Sequence, residues 1–221
     1  MTTFFLGNPL VAELLADPAA FKERGRAYQL LDEYFAGLSV DTLRPLLTHA
    51  DTLVRHAAVW VASELGQQAC TLLDDVITLI QDEDRFLSYH ALEVTAVCAD
   101  GEYLNRFIHI PRALESRDEV IRTLAMRLLT RADEAQLAAG HRQAASIGLS
   151  ADVHKEGLLM LATCRLCNPD DVRHMLLKDE PVARMYGVIA AKHLQQRHPE
   201  LLQLAAELPD SDVRRFAAET S

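Results

Sequence analysis

The chain has no long apolar run, no basic leader and almost no strand signal. None of its 221 residues falls in a segment approaching the ~18 consecutive apolar residues of a membrane span. The opening Met1-Thr2-Thr3-Phe4-Phe5-Leu6 lacks a basic n-region and makes a poor signal peptide, so a cytoplasmic chain with no membrane partner is expected. The glycines never cluster, which excludes a Gly-rich phosphate loop, and His-Glu-x-x-His and Gly-x-Ser-x-Gly are also missing. The carboxylates form no motif-defined pair. No catalytic residue, no cofactor and no metal site is therefore assigned; His56 with Glu93 is the one constellation an acid–base reading would test. No Gly/Ser- or Pro-rich linker interrupts the chain, and one domain over residues 1–221 is expected.

Basic residues are also scarce. There are 22 Lys and Arg against 32 Asp and Glu, a net charge of −10. Residues 1–100 hold 6 of the former and 15 of the latter, so the negative field sits on the first half, densest at Asp74-Asp75 and Asp82-Glu83-Asp84. Such a field repels nucleic acid and favours a basic partner. The four cysteines include Cys164-Arg-Leu-Cys167, but a zinc site wants four ligands and no second pair accompanies it. Buried thiols are the expected role, and a disulfide framework is not expected in a cytoplasmic, helix-rich chain.

What is present is mostly apolar and periodic. An apolar content of 49% and a mean hydropathy of zero exclude disorder. The only β-like stretch, Phe107-Ile108-His109-Ile110 before Pro111, fits a short helix or turn equally well. A line recurs: Asp51-Thr-Leu-Val54-Arg55-His56-Ala-Ala58, then Asp118-Glu-Val-Ile121-Arg122-Thr123-Leu-Ala125, then Asp210-Ser-Asp-Val213-Arg214-Arg-Phe-Ala217. Weaker copies complete a series anchored on Val54, Leu87, Ile121, Val153, Ala183 and Val213, with steps of 33, 34, 32, 30 and 30 residues. Four residues after each anchor stands Ala58, Ala91, Ala125, Gly157, Gly187 or Ala217, where a helix would need a small side chain to admit a neighbour. Three residues before it stands Asp51, Asp84, Asp118, Ser150, Glu180 or Asp210, an acceptor suited to capping a helix N-terminus. A repeat of this length predicts a solenoid.

On these residues the chain resembles the HEAT and HEAT-like repeat family, whose second helix begins Asp-x-x-Val-Arg-x-x-Ala. The resemblance runs over roughly residues 41 to 221. It departs at Leu87, where Ser88 replaces the arginine, at Val153, where His154 does, and at Ala183-Arg184. It implies an all-α fold: a right-handed α-α superhelical solenoid of about six helix pairs. The period is shorter than the family's ~40 residues, so some first helices must be short. Residues 1–40 lack the pattern; Pro9–Ala16 and Pro18–Leu38 read as two capping helices. In such repeats the arginine commonly ladders with an acidic group of the adjacent repeat, and Asp51 and Asp118 are suitable mates.

At about 100° per residue, positions two, six and nine after each anchor point away from the buried face. The resemblance implies that this ridge lines the concave surface. It carries His56, Trp60 and Ser63, then Tyr89 and Glu93, then Thr123 and Arg127, then Leu159, then Met185 and Ile189. The sole tryptophan thus falls where a solvated face should be polar, with His56 and Tyr89 expected close by. Trp60, Tyr89, Glu93 and Arg127 form the expected partner site, continued by an apolar strip of Leu159, Met185 and Ile189. The expected function is protein binding without catalysis, in one version as an inhibitor or immunity-type protein. Other HEAT-like families supply the alternatives: a lyase or enzyme subunit handling a bilin-like ligand, a DNA glycosylase-type protein, or a scaffold. The acidic charge argues against nucleic acid.

Overall fold

The computed structural model describes residues 7–148, 150–163 and 168–219. It divides into two compact units, Met1–Cys98 and Ala99–Ser221. Among the described residues all regular structure is helical, and there is no strand. The segment Phe107–Ile110 is accordingly the end of a 3-10 stretch and the start of a short helix.

The first unit comprises α1 (Pro9–Ala16), α2 (Pro18–Glu23), α3 (Ala27–Phe35), α4 (Arg44–Leu47), α5 (Thr52–Glu64), α6 (Leu73–Val76) and α7 (Arg85–Cys98). Asn8 and Asp17 cap α1 and α2, each ahead of a proline at the helix start. The expected second capping helix breaks into α2 and α3, because Gly25 takes φ +65°, a left-handed turn that ends one helix and re-aims the next. The helices α3, α5 and α7 then pack side by side. Their inner faces and the segments leading into them bury Leu30, Leu43, Leu47, Val54, Ala58, Leu87, Ala91 and Leu92. A disulfide joins Cys98 at the end of α7 to Cys70 in the 3-10 stretch Gly66–Leu72, with Cα atoms 4.9 Å apart. This corrects the expectation of thiols alone: that stretch packs against α7, so the fold brings together two cysteines 28 residues apart.

The second unit comprises α8 (His109–Arg112), α9 (Glu119–Arg131), α10 (Glu134–Gln143), α11 (Ala151–Ala162), α12 (Pro169–Leu177), α13 (Pro181–Leu194), α14 (Pro199–Ala206) and α15 (Ser211–Ala218). The Cys164–Cys167 motif lies outside the described residues. Here α13 is central, packed by α9, α11, α12, α14 and α15. Helix α9 packs on α13 as well as on its neighbour α8, and α15 returns to pack on α9. Two ion pairs tie that return: Arg122 Nε to Asp212 at 2.6 Å and Arg215 to Glu119 at 2.7 Å.

The repeated columns explain these elements. Helices α5, α7, α9, α11, α13 and α15 each begin on the residue after the expected capping position. Asp51, Asp84 and Asp118 do cap, accepting from the N–H two residues on at 2.7, 2.9 and 2.8 Å. Ser150, Glu180 and Asp210 do not. Ser150 lacks the extended backbone a cap uses, and Asp210 is drawn to Arg184 in an ion pair at 2.5 Å. All six anchors are buried. A Cβ built on Gly157 would lie 2.2 Å from the Tyr186 ring, and one on Gly187 would lie 2.9 Å from Leu176, so close approach is what the small column serves.

The arginine column has a local role as well as a ladder. Arg55, Arg122, Arg184 and Arg214 each donate to the carbonyl six residues earlier, at 2.8, 2.8, 2.8 and 2.7 Å. Each guanidinium thereby satisfies the turn that precedes its own helix. Ser88, the substitute in the second copy, makes the same bond to the Asp82 carbonyl at 2.7 Å. Arg55, Arg122 and Arg184 pair with Asp82, Asp212 and Asp210, and the carboxylates of Asp51 and Asp118 cap their own helices. Some of the helices before the anchored ones are short, as α4, α6 and α8 have four residues each, but α6 and α8 fall in the longest steps; the shorter steps hold α10, α12 and α14, of 10, 9 and 8 residues.

Candidate partner-binding surface

Rings meet across α3, α5 and α7 of the first unit. Tyr28 on α3 stands edge-on to Trp60 on α5, with centroids 4.8 Å apart. One turn before Trp60, His56 lies 4.6 Å from Phe86 on α7; Phe86 lies 4.4 Å from His90, and His90 lies 5.5 Å from Tyr89. Tyr28 is 69% exposed and Phe86 39%, while Trp60, His56, Tyr89 and His90 are half-buried. The expected ridge residues His56, Trp60, Tyr89 and Glu93 therefore do share this face, although the ring contacts of Trp60 and Tyr89 are with Tyr28 and His90 rather than with each other.

Polar bonds fix the rings. His56 Nε2 and an Asp84 oxygen are 2.8 Å apart, His90 Nδ1 lies 3.0 Å from Glu93, and the Ser63 hydroxyl is 3.1 Å from the same imidazole nitrogen. Burial pushes the Asp84 carboxyl up, but His56 and the backbone N–H groups of Leu87 and Phe86 outweigh it and hold it below its ordinary value. The pairing of His56 with Glu93 that acid–base chemistry would use is not formed; each pairs with another group. Among the described residues no group of three or more His, Cys, Asp and Glu could hold a metal. What the face offers is aromatic area edged by carboxylates, in a unit with 6 Lys and Arg against 14 Asp and Glu over residues 1–98.

The remaining expected residues belong to the second unit and do not form a strip. Met185 and Ile189 are buried, on a helix packed by α9, α11, α12, α14 and α15. Thr123 on α9 is buried as well. Leu159 on α11 is 52% exposed and stands as a single apolar side chain. Arg127 is exposed and holds Glu219 through Nε at 3.2 Å and Nη2 at 2.6 Å.

Three residues of the ring face escaped the sequence reading. Phe86 and His90 sit one before and three after their anchor, at about 260° and 300° around the helix, beside the expected positions at about 200° and 240°. A wider template would have included them. Tyr28 lies on α3, before the repeats begin, where no anchor sets a register.

One buried polar cluster of the second unit also went unread. His154 is fully buried; its Nδ1 lies 2.9 Å from the Tyr186 hydroxyl and its Nε2 3.1 Å from Glu115. Burial lowers its pKa from the ordinary imidazole value, against Glu115 and Glu180, which raise it. Burial and then the Glu115 charge push the Tyr186 phenol well above its ordinary value. The cluster locks α11 to α13, where the missing Cβ of Gly157 makes room for the Tyr186 ring.

No family model, no curated protein and no solved structure matches this chain. Among the described residues no helix is long and apolar enough to cross a membrane.

Proposed function

We propose that this is a non-enzymatic binding protein whose first unit engages a basic protein partner on the ring face of α3, α5 and α7. The observation that carries the reading is the ring series Tyr28–Trp60 and His56–Phe86–His90–Tyr89, laid across three adjacent helices and edged by Asp84 and Glu93. Tyr and Trp bring large contact area at small entropic cost and are the residues that most often anchor interfaces. Lysine and arginine side chains of a partner would find both aromatic faces and carboxylates there. The net charge of −8 over residues 1–98 would steer such a partner inward. On this reading the anchored helices belong to a HEAT-like solenoid, and the acidic face suits an inhibitor or immunity-type protein that masks a basic enzyme.

The test is capture from cell extract by the wild type and by the Tyr28→Ala/Trp60→Ala double variant, with the fold of each checked by circular dichroism. A basic protein held by the wild type, released by moderate salt and lost by the folded variant is the expected result. Loss of two anchors should weaken binding by about 3 kcal/mol or more, over a hundredfold. Equal capture by both proteins would overturn the proposal.

A further inference from the structure

Helix α3 carries two exposed rings on one line. Tyr28 and Phe35 are 69% and 57% exposed and stand seven residues apart. Leu30, Leu31 and Tyr34 of the same helix turn into the core. At about 100° per residue these three fill an arc of about 200–300° counted from Tyr28. Phe35 then falls at about 340° and Asp32 at about 40°. Tyr28, Asp32 and Phe35 thus form an outer stripe that borders the buried one. Because Tyr28 also meets Trp60, the stripe continues the ring face. A single exposed apolar side chain is ordinary. Two rings in line on a helix of nine residues, joined to an aromatic face, make a patch.

The same stripe holds an open acid. Helix α3 has Asp32 and Glu33 and no Lys or Arg. Glu33 accepts from Asn8 Nδ2 at 3.0 Å. Asp32 is exposed, and its carboxylate has no hydrogen bond or ion pair among the described residues. A free negative charge therefore stands between the two rings, in a unit of net charge −8 over residues 1–98.

We propose that the element of the partner that docks here is a basic amphipathic helix laid along α3. Two of its apolar side chains, seven residues apart, rest on Tyr28 and Phe35, and an arginine or lysine between them meets Asp32. The proposal rests on the ring-face reading and names what that face takes. The spacing selects a helix. Seven helical residues rise about 10.5 Å, so the apolar positions of a partner helix repeat in step with the two rings. Same-face side chains of an extended strand recur at about 6.8 and 13.5 Å, and neither matches. The charge selects a basic helix, since Asp32 is the unpaired group and the surrounding unit is acidic.

The experiment is fluorescence anisotropy at low salt with a labelled, amidated peptide of three Leu-Ala-Ala-Arg-Ala-Ala-Gln units. One control replaces each arginine by glutamate. The other adds two alanines to every unit, which puts successive leucines on opposite faces of the helix. Wild type is expected to prefer the arginine peptide to both controls. Phe35→Ala should weaken that peptide about tenfold, and Asp32→Asn should narrow its advantage over the glutamate peptide about threefold. Both side chains are exposed, and circular dichroism establishes that the variants are folded. No binding of the arginine peptide, or equal binding of either control, would overturn the proposal; equal binding of the glutamate peptide would admit an acidic helix such as one from a second copy. The Tyr28→Ala/Trp60→Ala variant separates the two readings. If it alone weakens the peptide, the ring face stands and the helix along α3 is overturned. If none of the three variants weakens it, both readings fall.

Discussion

The two units use the same helix signature to opposite ends. In the first, α3, α5 and α7 lie in order, and the face away from the core carries Tyr28, Trp60, Phe86 and their neighbours half in water. In the second, five helices including α9 and α15 pack on α13, and the equivalent positions Met185 and Ile189 are core. The signature fixes where each helix starts and which side chain admits its neighbour. It does not fix which helix packs next. That choice rests on side chains outside the signature, among them Asp212 and Glu119, which draw α15 and α9 together.

Breaking that long-range tie should have the largest effect. Asp212 is only 3% exposed, so Arg122→Ala strands a buried carboxylate and should cost about 3–5 kcal/mol. The corresponding pair of the first unit, Arg55 and Asp82 at 3.9 Å, is partly solvated, and Asp82→Ala should cost about 1 kcal/mol or less. Urea unfolding of the two variants checks the contrast; equal losses would remove the distinction between a closed unit and an open one.

Next is the disulfide, which gives the first unit the covalent tie that the second obtains by packing. The Cys70–Cys98 bridge spans 28 residues, and Cys98→Ser should lower stability by about 3–4 kcal/mol on the loop-entropy account. Denaturation of oxidised wild type beside this variant measures it, and an unchanged midpoint would contradict it.

Gly157→Ala sharpens the packing side of the comparison. The added methyl would collide with the Tyr186 ring, so a loss of about 1–3 kcal/mol is expected in thermal unfolding. The smallest effect is a pH dependence of the second unit. His154 has a folded pKa below its unfolded value of 6.5, so the native state binds fewer protons and the contribution is complete above that value. It is lost as pH falls from there through the folded pKa, with Glu115, Glu180 and Tyr186 as the facing groups. Melting temperature should decline over that acidic window in wild type, and the decline should shrink in His154→Gln. A parallel decline in both would assign it elsewhere.

Much of the helix plan was legible because it depends on short-range chemistry. The capping acids, anchors and small residues act within a turn or two, and their spacing located six helix starts. Gly25 hid a break, since a lone glycine is tolerated inside a helical pattern as readily as it ends one. The candidate site was half legible. His56 and Trp60, four residues apart on α5, were placed by helical phase; Phe86 and His90 lay just outside the assumed arc, and Tyr28 came from a helix with no signature. Met185 and Ile189 are core, and phase alone cannot tell that five helices pack on α13. The Cys70–Cys98 pairing and the His154 cluster depend on contacts 28 and 32 residues apart in sequence, beyond the reach of periodicity.

The central claim is that the first unit holds an acidic aromatic face open to solvent. Trp60 is the only tryptophan, so its emission reports on that face alone. The most direct measurement is quenching of that emission by caesium and by iodide at matched ionic strength. A half-exposed indole in a unit of net charge −8 over residues 1–98 should be quenched by both ions and more strongly by caesium. Resistance to both would mean that the face is covered, and stronger quenching by iodide would mean that it is not acidic; either result contradicts the account.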